Sequence, residues 1–310
     1  DTVNNLNRFK DWNPLVLRDP RVQMTLSGPD SGVGARIDYV SKEEGLGKGS
    51  WEITESVPRE KVSYKIENEE RGSNKRTSFS FKPTGRNNRN VEITQTYDVD
   101  YGWNLLGRYA GMYVSRHVGD DMKMGLSRIV GMLAAVPNVD YAVSGSKMTG
   151  LKIADRPVED LLYVNAGNVE RGNSQIQASI TANAEWLKRV MDANGLEAVG
   201  PLRIISTELG RETYNFDVAQ AVRKKDGSAV GKPTLQGPVL HVQNPAGKVA
   251  TAAYTGYMAE LDNVRNALRA WTLTNGYEVV DRPYESYKSG IAGAFTENGE
   301  FDVYWTLKTK

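Results

Sequence analysis

The chain has 310 residues, of which 25% are charged and 39% are hydrophobic, as in an ordinary globular protein of about two domains. Its formal net charge of +1 provides no bulk attraction for nucleic acid or an anionic membrane, so no nucleic acid partner is predicted. The absence of cysteine and the presence of only two histidines, His117 and His241, exclude disulfides and thiolate chemistry and disfavour a histidine-rich metal site or a Ser-His-Asp triad.

No metal and no cofactor are therefore predicted. No run of 18 apolar residues occurs, so no membrane span is predicted in this chain either. The sequence opens with Asp1 instead of Met, and an upstream signal or anchor segment is compatible with this start. Without such a segment, a cytoplasmic location is expected.

The first hundred residues predict an antiparallel sheet. Apolar and polar residues alternate with period two, which is typical of strands with one buried face. The segments that show this alternation are WEITESV (51–57), KVSYKIE (61–67), TSFSF (77–81) and VEITQTYDV (91–99). Turn-forming residues separate them, as in PTGRNN at 83–88.

A helical period follows the strands. Met122, Leu126, Ile129 and Leu133 are spaced by four, three and four, which predicts one apolar stripe of a long helix that ends before Pro137. A curved sheet that closes on one long helix leaves space between them. That space is either a filled core or an apolar ligand pocket.

The same stretch resembles the SRPBCC superfamily, which is also called START-like or polyketide-cyclase-like. The resembling segments are WNPLVLRDPRV, SGPDSGVGARIDYV and GKGSWEITESVPREKVSYKIE, within about residues 8–135. The resemblance implies a helix-grip fold that holds apolar small molecules under its long helix. It assigns residues 1–138 to this domain and implies that the family's first strand precedes Asp1.

The second half contains a tandem repeat. NGLEAVGPLRIIS begins at residue 194 and NGYEVVDRPYESY begins at residue 275. Each follows an amphipathic helix, and each is followed by a strand, NFDVAQAV at 215–222 or EFDVYWTL at 300–307. Another strand precedes each helix, so the predicted unit is strand, helix, strand, strand. The predicted fold class is α+β, with residues 139–157 as a linker to the repeat domain at 158–310.

This repeat resembles the GyrI-like small-molecule-binding domain, the effector-binding module of some AraC-type and multidrug-responsive regulators. GPVLHVQNPAG (237–247), GYEVVDRPYESYKSG (276–290) and the closing FDVYWTL (301–307) carry the resemblance. The resemblance implies a cleft at the junction of the two repeats that binds bulky, often cationic aromatic molecules. It also implies a buried glutamate as counter-charge, and Glu285 occupies the matching strand.

Glu285 and Tyr287 share one face of this strand. The predicted aromatic walls are Tyr254, Tyr163, Trp305 and Trp186, because aromatic faces attract cations. Counting from Pro201 and Pro283, Arg203 occupies the position of Glu285 in the first repeat, and an Arg203–Glu285 salt bridge is the structural alternative.

Three functions are open at this stage. The first is binding or sequestration of apolar or amphipathic small molecules, cationic aromatic ones among them, by two ligand-binding domains. The second is a hydrolase, which the GyrI-like resemblance implies with Glu285 as the base. The third is an interaction module with filled cores. The expected partner is a small-molecule ligand.

Overall fold

The computed structural model describes residues 1–102, 105–142, 147–210, 212–280 and 282–308. The chain divides into two compact units: unit 1 is Asp1–Val136 with Thr274–Gly276, and unit 2 is Pro137–Leu273 with Tyr277–Lys310. None of the described helices is long and apolar enough to cross a membrane.

Unit 1 is an antiparallel sheet with a long helix at its C-terminal end, as the sequence predicts. Its strands pair in chain order, each antiparallel to the next. They are β1 (Gln23–Ser27), β2 (Arg36–Val40), β3 (Lys48–Val57), β4 (Lys61–Asn68), β5 (Ser73–Thr84) and β6 (Asn90–Asp100). The helices are α1 (Phe9–Trp12), α2 (Pro14–Arg18) and the long α3 (Leu105–Leu133).

The core of unit 1 contains the apolar faces that the alternation predicts. Ile53, Tyr64 and Phe79 of the sheet are buried, and Trp12 packs edge-on against Phe79 with ring centroids 5.3 Å apart. From α3, Ile129 is buried against the same cluster. Leu126 and Leu133 pack against it as well, so the predicted helical stripe is confirmed for these three residues.

Within the described residues, unit 2 forms a nine-stranded antiparallel sheet with helices on one face. Its strands are β7 (Met148–Arg156), β8 (Glu159–Glu170), β9 (Leu196–Ala198), β10 (Arg203–Leu209), β11 (Thr213–Lys224), β12 (Leu240–Asn244), β13 (Gly247–Thr255), β14 (Tyr284–Tyr287) and β15 (Glu300–Thr306). Its helices are α4 (Asn173–Ala193), α5 (Leu261–Thr274) and the short α6 (Gly290–Ala294).

The predicted repeat is present in this sheet. The first repeat is β8, α4, β10 and β11, and the second is β13, α5, β14 and β15. Eight strands follow the order β12-β8-β11-β10-β14-β15-β13-β7, and the ninth, β9, pairs with the end of β11, so the repeats meet where β10 pairs with β14. The order on one side of this seam mirrors the order on the other.

The strand β7 lies within residues 139–157, the range predicted as linker. It pairs with β13 along most of its length and forms one edge of the sheet. Leu151 and Ile153 pack against the core of unit 2, which explains why this segment is ordered as a strand. Because the flanks of this segment are polar and rich in glycine, the short apolar alternation of Leu151 and Ile153 did not predict a strand.

Short connections join the two ends of this sheet. β7 ends at Arg156 and β8 begins at Glu159, although five strands separate them in the strand order. Strands about 4.8 Å apart would place β7 about 29 Å from β8 in a flat sheet, whereas three residue steps span at most about 11 Å. The sheet therefore curls until its ends meet. The link from Asn244, at the end of β12, to Gly247, at the start of β13, is equally short. Five strands also lie between β12 and β13 in the strand order, so this link requires the same curl.

Candidate functional site

The curled sheet of unit 2 encloses an open cavity of about 710 Å³. Most of its wall comes from the sheet face opposite to α4 and α5, and residues 228–230 contribute from a loop. Alternation along each strand sends every second side chain to the cavity. On β7 these side chains are Lys152, Ala154 and Arg156, and on β13 they include Thr251 and Ala253.

A stack of three side chains lies on the cavity wall at the seam of the repeats. The rings of Tyr284 and Tyr304 are stacked with centroids 4.7 Å apart and an angle of 12° between planes. The guanidinium carbon of Arg203 lies 5.4 Å from the centroid of the Tyr284 ring, which is a cation–π distance. All three residues line the cavity. Tyr284 is buried, whereas Tyr304 is half-buried.

Arg203 is held in this stack by an acidic partner. Its Nη1 donates to Glu159 Oε1 at 2.8 Å. Burial by itself would lower the pKa of Arg203, but the Glu159 carboxylate raises that pKa above the usual arginine value. Arg203 therefore stays charged, and Glu159 neutralises it.

Arg156 is held differently. Its Nη1 donates to Thr306 Oγ1 and its Nη2 to the carbonyl oxygen of Pro245, both at 3.2 Å. Its Nε is buried and has no acceptor among the described residues. Burial raises the pKa of Tyr284, and the positive charges of Arg203 and Arg156 oppose that rise.

Glu285 lies on the opposite face of the same strand. It pairs with Ile204 across the seam and with Val303 on β15, and its carboxylate is 0% exposed. Arg265 from α5 donates through Nε to Glu285 Oε1. Burial by itself would lower the pKa of Arg265, but the adjacent Glu285 carboxylate raises it well above the usual value.

Other polar groups complete this buried cluster. Arg265 Nη2 donates to the Tyr214 hydroxyl at 3.1 Å, and that hydroxyl is 2.7 Å from Ser206 Oγ. Glu285 Oε2 and the Tyr287 hydroxyl are both buried without a hydrogen-bond partner among the described residues. The predicted pair Glu285 and Tyr287 is thus enclosed beneath α5, outside the open cavity.

The remaining predicted wall residues are distributed over both faces. Trp305 is buried on the helix face and donates through Nε1 to the backbone carbonyl of Arg265 at 2.9 Å. Tyr254 is buried on that face, where its hydroxyl donates to Glu260 Oε2 at 2.6 Å. Trp186 packs at the edge of this core on α4, whereas Tyr163 lies on the cavity face beside the small cluster that contains Leu161. Contact of these residues with a ligand stays a prediction.

The proposed salt bridge between Arg203 and Glu285 does not form. Ile204 pairs with Glu285, and Arg203 pairs with Ser286, so Arg203 and Glu285 point to opposite faces of the sheet. Arg265 is the partner that sequence reasoning missed. It lies four residues after Leu261 and three before Leu268, so a single charge within an apolar helical stripe was the available signal.

Unit 1 contains a smaller cavity of about 120 Å³ next to α3. Trp12 and Asn13 line it, and their buried Nε1 and Nδ2 atoms have no hydrogen-bond partner among the described residues. Across the described ranges, no group of three or more histidine, aspartate or glutamate side chains is arranged to hold a metal ion.

No family model matches the chain, and no curated protein matches it. Solved structures similar to the chain include the EcmrR C-terminal domain, with 18% identity over 52% of this chain and 98% of that one and a TM-score of 0.42. A hydrolase from Listeria innocua has 13% identity over 51% of this chain and 91% of that one, with a TM-score of 0.38.

A third similar structure is SAV2435 bound to tetraphenylphosphonium, with 10% identity over 52% of this chain and 94% of that one and a TM-score of 0.33. These TM-scores are all below 0.5, so the similarities carry no weight for the function of this chain. Membership of residues 1–138 in the SRPBCC superfamily and of 158–310 in the GyrI-like family stays a prediction.

Proposed function

We propose that unit 2 binds a small organic molecule inside the cavity of its curled sheet. The observation that carries this proposal is the size of the open cavity, about 710 Å³. Ligand pockets typically measure about 300 to 1,000 Å³. The cavity of unit 1, at about 120 Å³, is below that range, so the proposal is confined to unit 2.

The lining favours an amphipathic molecule with a planar ring. Tyr284 and Tyr304 provide an aromatic wall, and stacked rings contribute about 0.5 to 1.5 kcal/mol beyond the burial of their area. Val249 and Ala253 add apolar surface on β13. Charged groups on β7 and β10 lie on the same walls and supply polar contacts.

The expected role of Glu285 as the counter-charge of a cationic ligand is not part of this proposal. Arg265 already neutralises that carboxylate inside the protein, so a ligand cation would first have to displace Arg265. Catalysis by Glu285 as a base requires water at its carboxylate, which is 0% exposed. The geometry therefore favours binding in the open cavity over hydrolysis at Glu285.

The test is a thermal-shift screen of the intact chain against planar amphipathic compounds of positive, negative and zero charge. Ala253→Trp and Ala154→Trp each place a large side chain in the cavity, from different strands. Thr255→Trp is the matched control, because Thr255 is exposed on the same strand as Ala253 and does not line the cavity.

Compounds that bind in the cavity should stabilise the wild type and Thr255→Trp but neither of the filled variants. Because two independent strands are used, misfolding of one filled variant does not prevent the comparison. Stabilisation that survives in both correctly folded filled variants, or a panel without any stabilising compound, would refute the proposal.

A further inference from the structure

The charges that line the cavity of unit 2 are unequally neutralised. Every lining carboxylate has a basic partner within the described residues. The pairs are Arg203–Glu159 at 2.8 Å, His241–Asp160 at 2.9 Å, Lys248–Asp155 at 3.1 Å and Lys288–Asp302 at 3.5 Å. Three of these carboxylates are paired with arginine or lysine, whereas Asp160 is paired with a histidine, which is charged only if it is protonated.

In contrast, not every lining cation has a carboxylate partner. Arg203 and Arg223 have carboxylate partners, Glu159 and Glu197, at 2.8 and 2.6 Å. Neither Arg156 nor Lys152 has a carboxylate within ion-pair distance among the described residues. Both are on β7, four residues apart, so they face the same side of the strand. The unpaired charges that β7 contributes to the cavity wall are therefore positive, and its lining carboxylate, Asp155, is paired with Lys248.

Arg156 is the better placed of these two cations. Its guanidinium is fixed by Thr306 Oγ1 and the carbonyl oxygen of Pro245, which are neutral acceptors and leave its charge uncompensated. Its buried Nε lacks an acceptor. A guanidinium in this state is matched by an anionic oxygen group, because such charge-assisted hydrogen bonds are about twice as strong as neutral ones.

We propose that the ligand of this cavity is a planar aromatic acid. Its ring lies against the wall formed by Tyr284 and Tyr304, and its anionic oxygens bind Arg156, with Lys152 adding attraction at longer range. This inference rests on the proposed function and specifies the ligand class of the same cavity. It opposes the cationic ligand that the family resemblance implies for Glu285, which lies on the other face of the sheet.

The test is calorimetric titration of the intact chain with three probes that share one ring system and differ in charge: 2-naphthoate, 2-naphthamide and 2-naphthylmethylammonium. The wild type should bind 2-naphthoate at least about tenfold more tightly than the amide, in keeping with a hydrogen bond to a charged group. Binding of 2-naphthoate should weaken as the salt concentration rises, whereas binding of the amide should not.

Arg156→Met should abolish the difference between 2-naphthoate and 2-naphthamide, and Arg156→Lys should restore part of it. Arg189→Met is the control, because Arg189 is exposed on α4 and does not line the cavity. It should leave the preference unchanged.

Equal or tighter binding of the amide or the ammonium probe would overturn the inference, as would a preference that survives in Arg156→Met. If a probe binds without the expected preference and its binding is lost in Ala253→Trp, the cavity is still supported as the binding site, although the inferred ligand class is wrong. If none of the probes binds, the inference is also overturned, and the screen with the filled variants decides separately whether the cavity binds any molecule.

Discussion

Removal of Arg265 should destabilise unit 2 strongly, because it leaves the buried carboxylate of Glu285 without a counter-charge. In Arg265→Met the side chain keeps its length and apolar body but loses its charge. Glu285, with 0% exposure, then has no other cation within ion-pair distance in the described part of the chain, and its Oε2 lacks a partner there too. The backbone carbonyl of Arg265 still accepts from Trp305 Nε1, so the packing of α5 is retained.

The magnitude follows from the burial of both groups. Removal of one partner of a buried ion pair costs about 3 to 5 kcal/mol, because it leaves an uncompensated charge. For a unit of this size, each kcal/mol corresponds to about 2 to 4 °C in melting temperature, so the expected decrease is about 6 to 20 °C. Urea denaturation followed by circular dichroism and tryptophan fluorescence would measure the free energy of unfolding.

Replacement of both partners provides the decisive comparison. Arg265→Met with Glu285→Leu removes the pair and leaves apolar groups of similar size, which is often neutral or stabilising. Arg269→Met is the control on the same helix, because Arg269 has no carboxylate partner among the described residues and lies 5.6 Å from the Trp305 ring centroid. A loss below about 1 kcal/mol in Arg265→Met, or a double variant no more stable than that single one, would refute this account.

Other predictions concern single residues. Tyr287→Phe removes a buried hydroxyl without a partner and should be neutral or stabilise the protein by about 1 kcal/mol; a loss of more than about 1 kcal/mol in thermal unfolding would reveal a bound partner. The Ser41 hydroxyl lowers the pKa of Asp19 below its usual value, so Asp19 stabilises the fold above about pH 4 and this contribution is lost as the pH falls; acid titrations of Asp19→Asn should lack it. Gly28 has φ of +74°, and a Cβ there would clash with the Gly34 carbonyl, so Gly28→Ala should cost more than about 1 kcal/mol by urea denaturation, and a smaller loss would contradict the clash.

The strands and helices were predictable because the sequence patterns that indicate them involve residues close in sequence. Alternation with period two marked the strands of unit 1, and the spacing of Leu126, Ile129 and Leu133 marked α3. The tandem repeat was visible because two similar segments preserve the order of strands and helices. These patterns depend on residues close in sequence.

The candidate site was less predictable because it depends on register and on contacts between distant residues. Alignment of Pro201 with Pro283 matched Arg203 to Glu285, but the strand pairing places Ile204 opposite Glu285. A shift of one residue in a strand moves a side chain to the other face. Arg203 therefore reaches the cavity, whereas Glu285 is enclosed beneath α5.

The cavity itself follows from the curl of the sheet. That curl is imposed by the short links after Arg156 and Asn244, which join ends that the strand order places far apart. Such a constraint cannot be recognised until the strand order is known. Arg265 could have been found earlier, because it is a charge within an apolar helical stripe.

A crystal structure of the chain soaked with 2-naphthoate tests most directly whether the cavity of unit 2 holds a small molecule. The account predicts the naphthalene ring against Tyr304 and a carboxylate oxygen within roughly 3.2 Å of the Arg156 guanidinium. An empty cavity with the probe bound beside Glu285, on the helix face of the sheet, would contradict it.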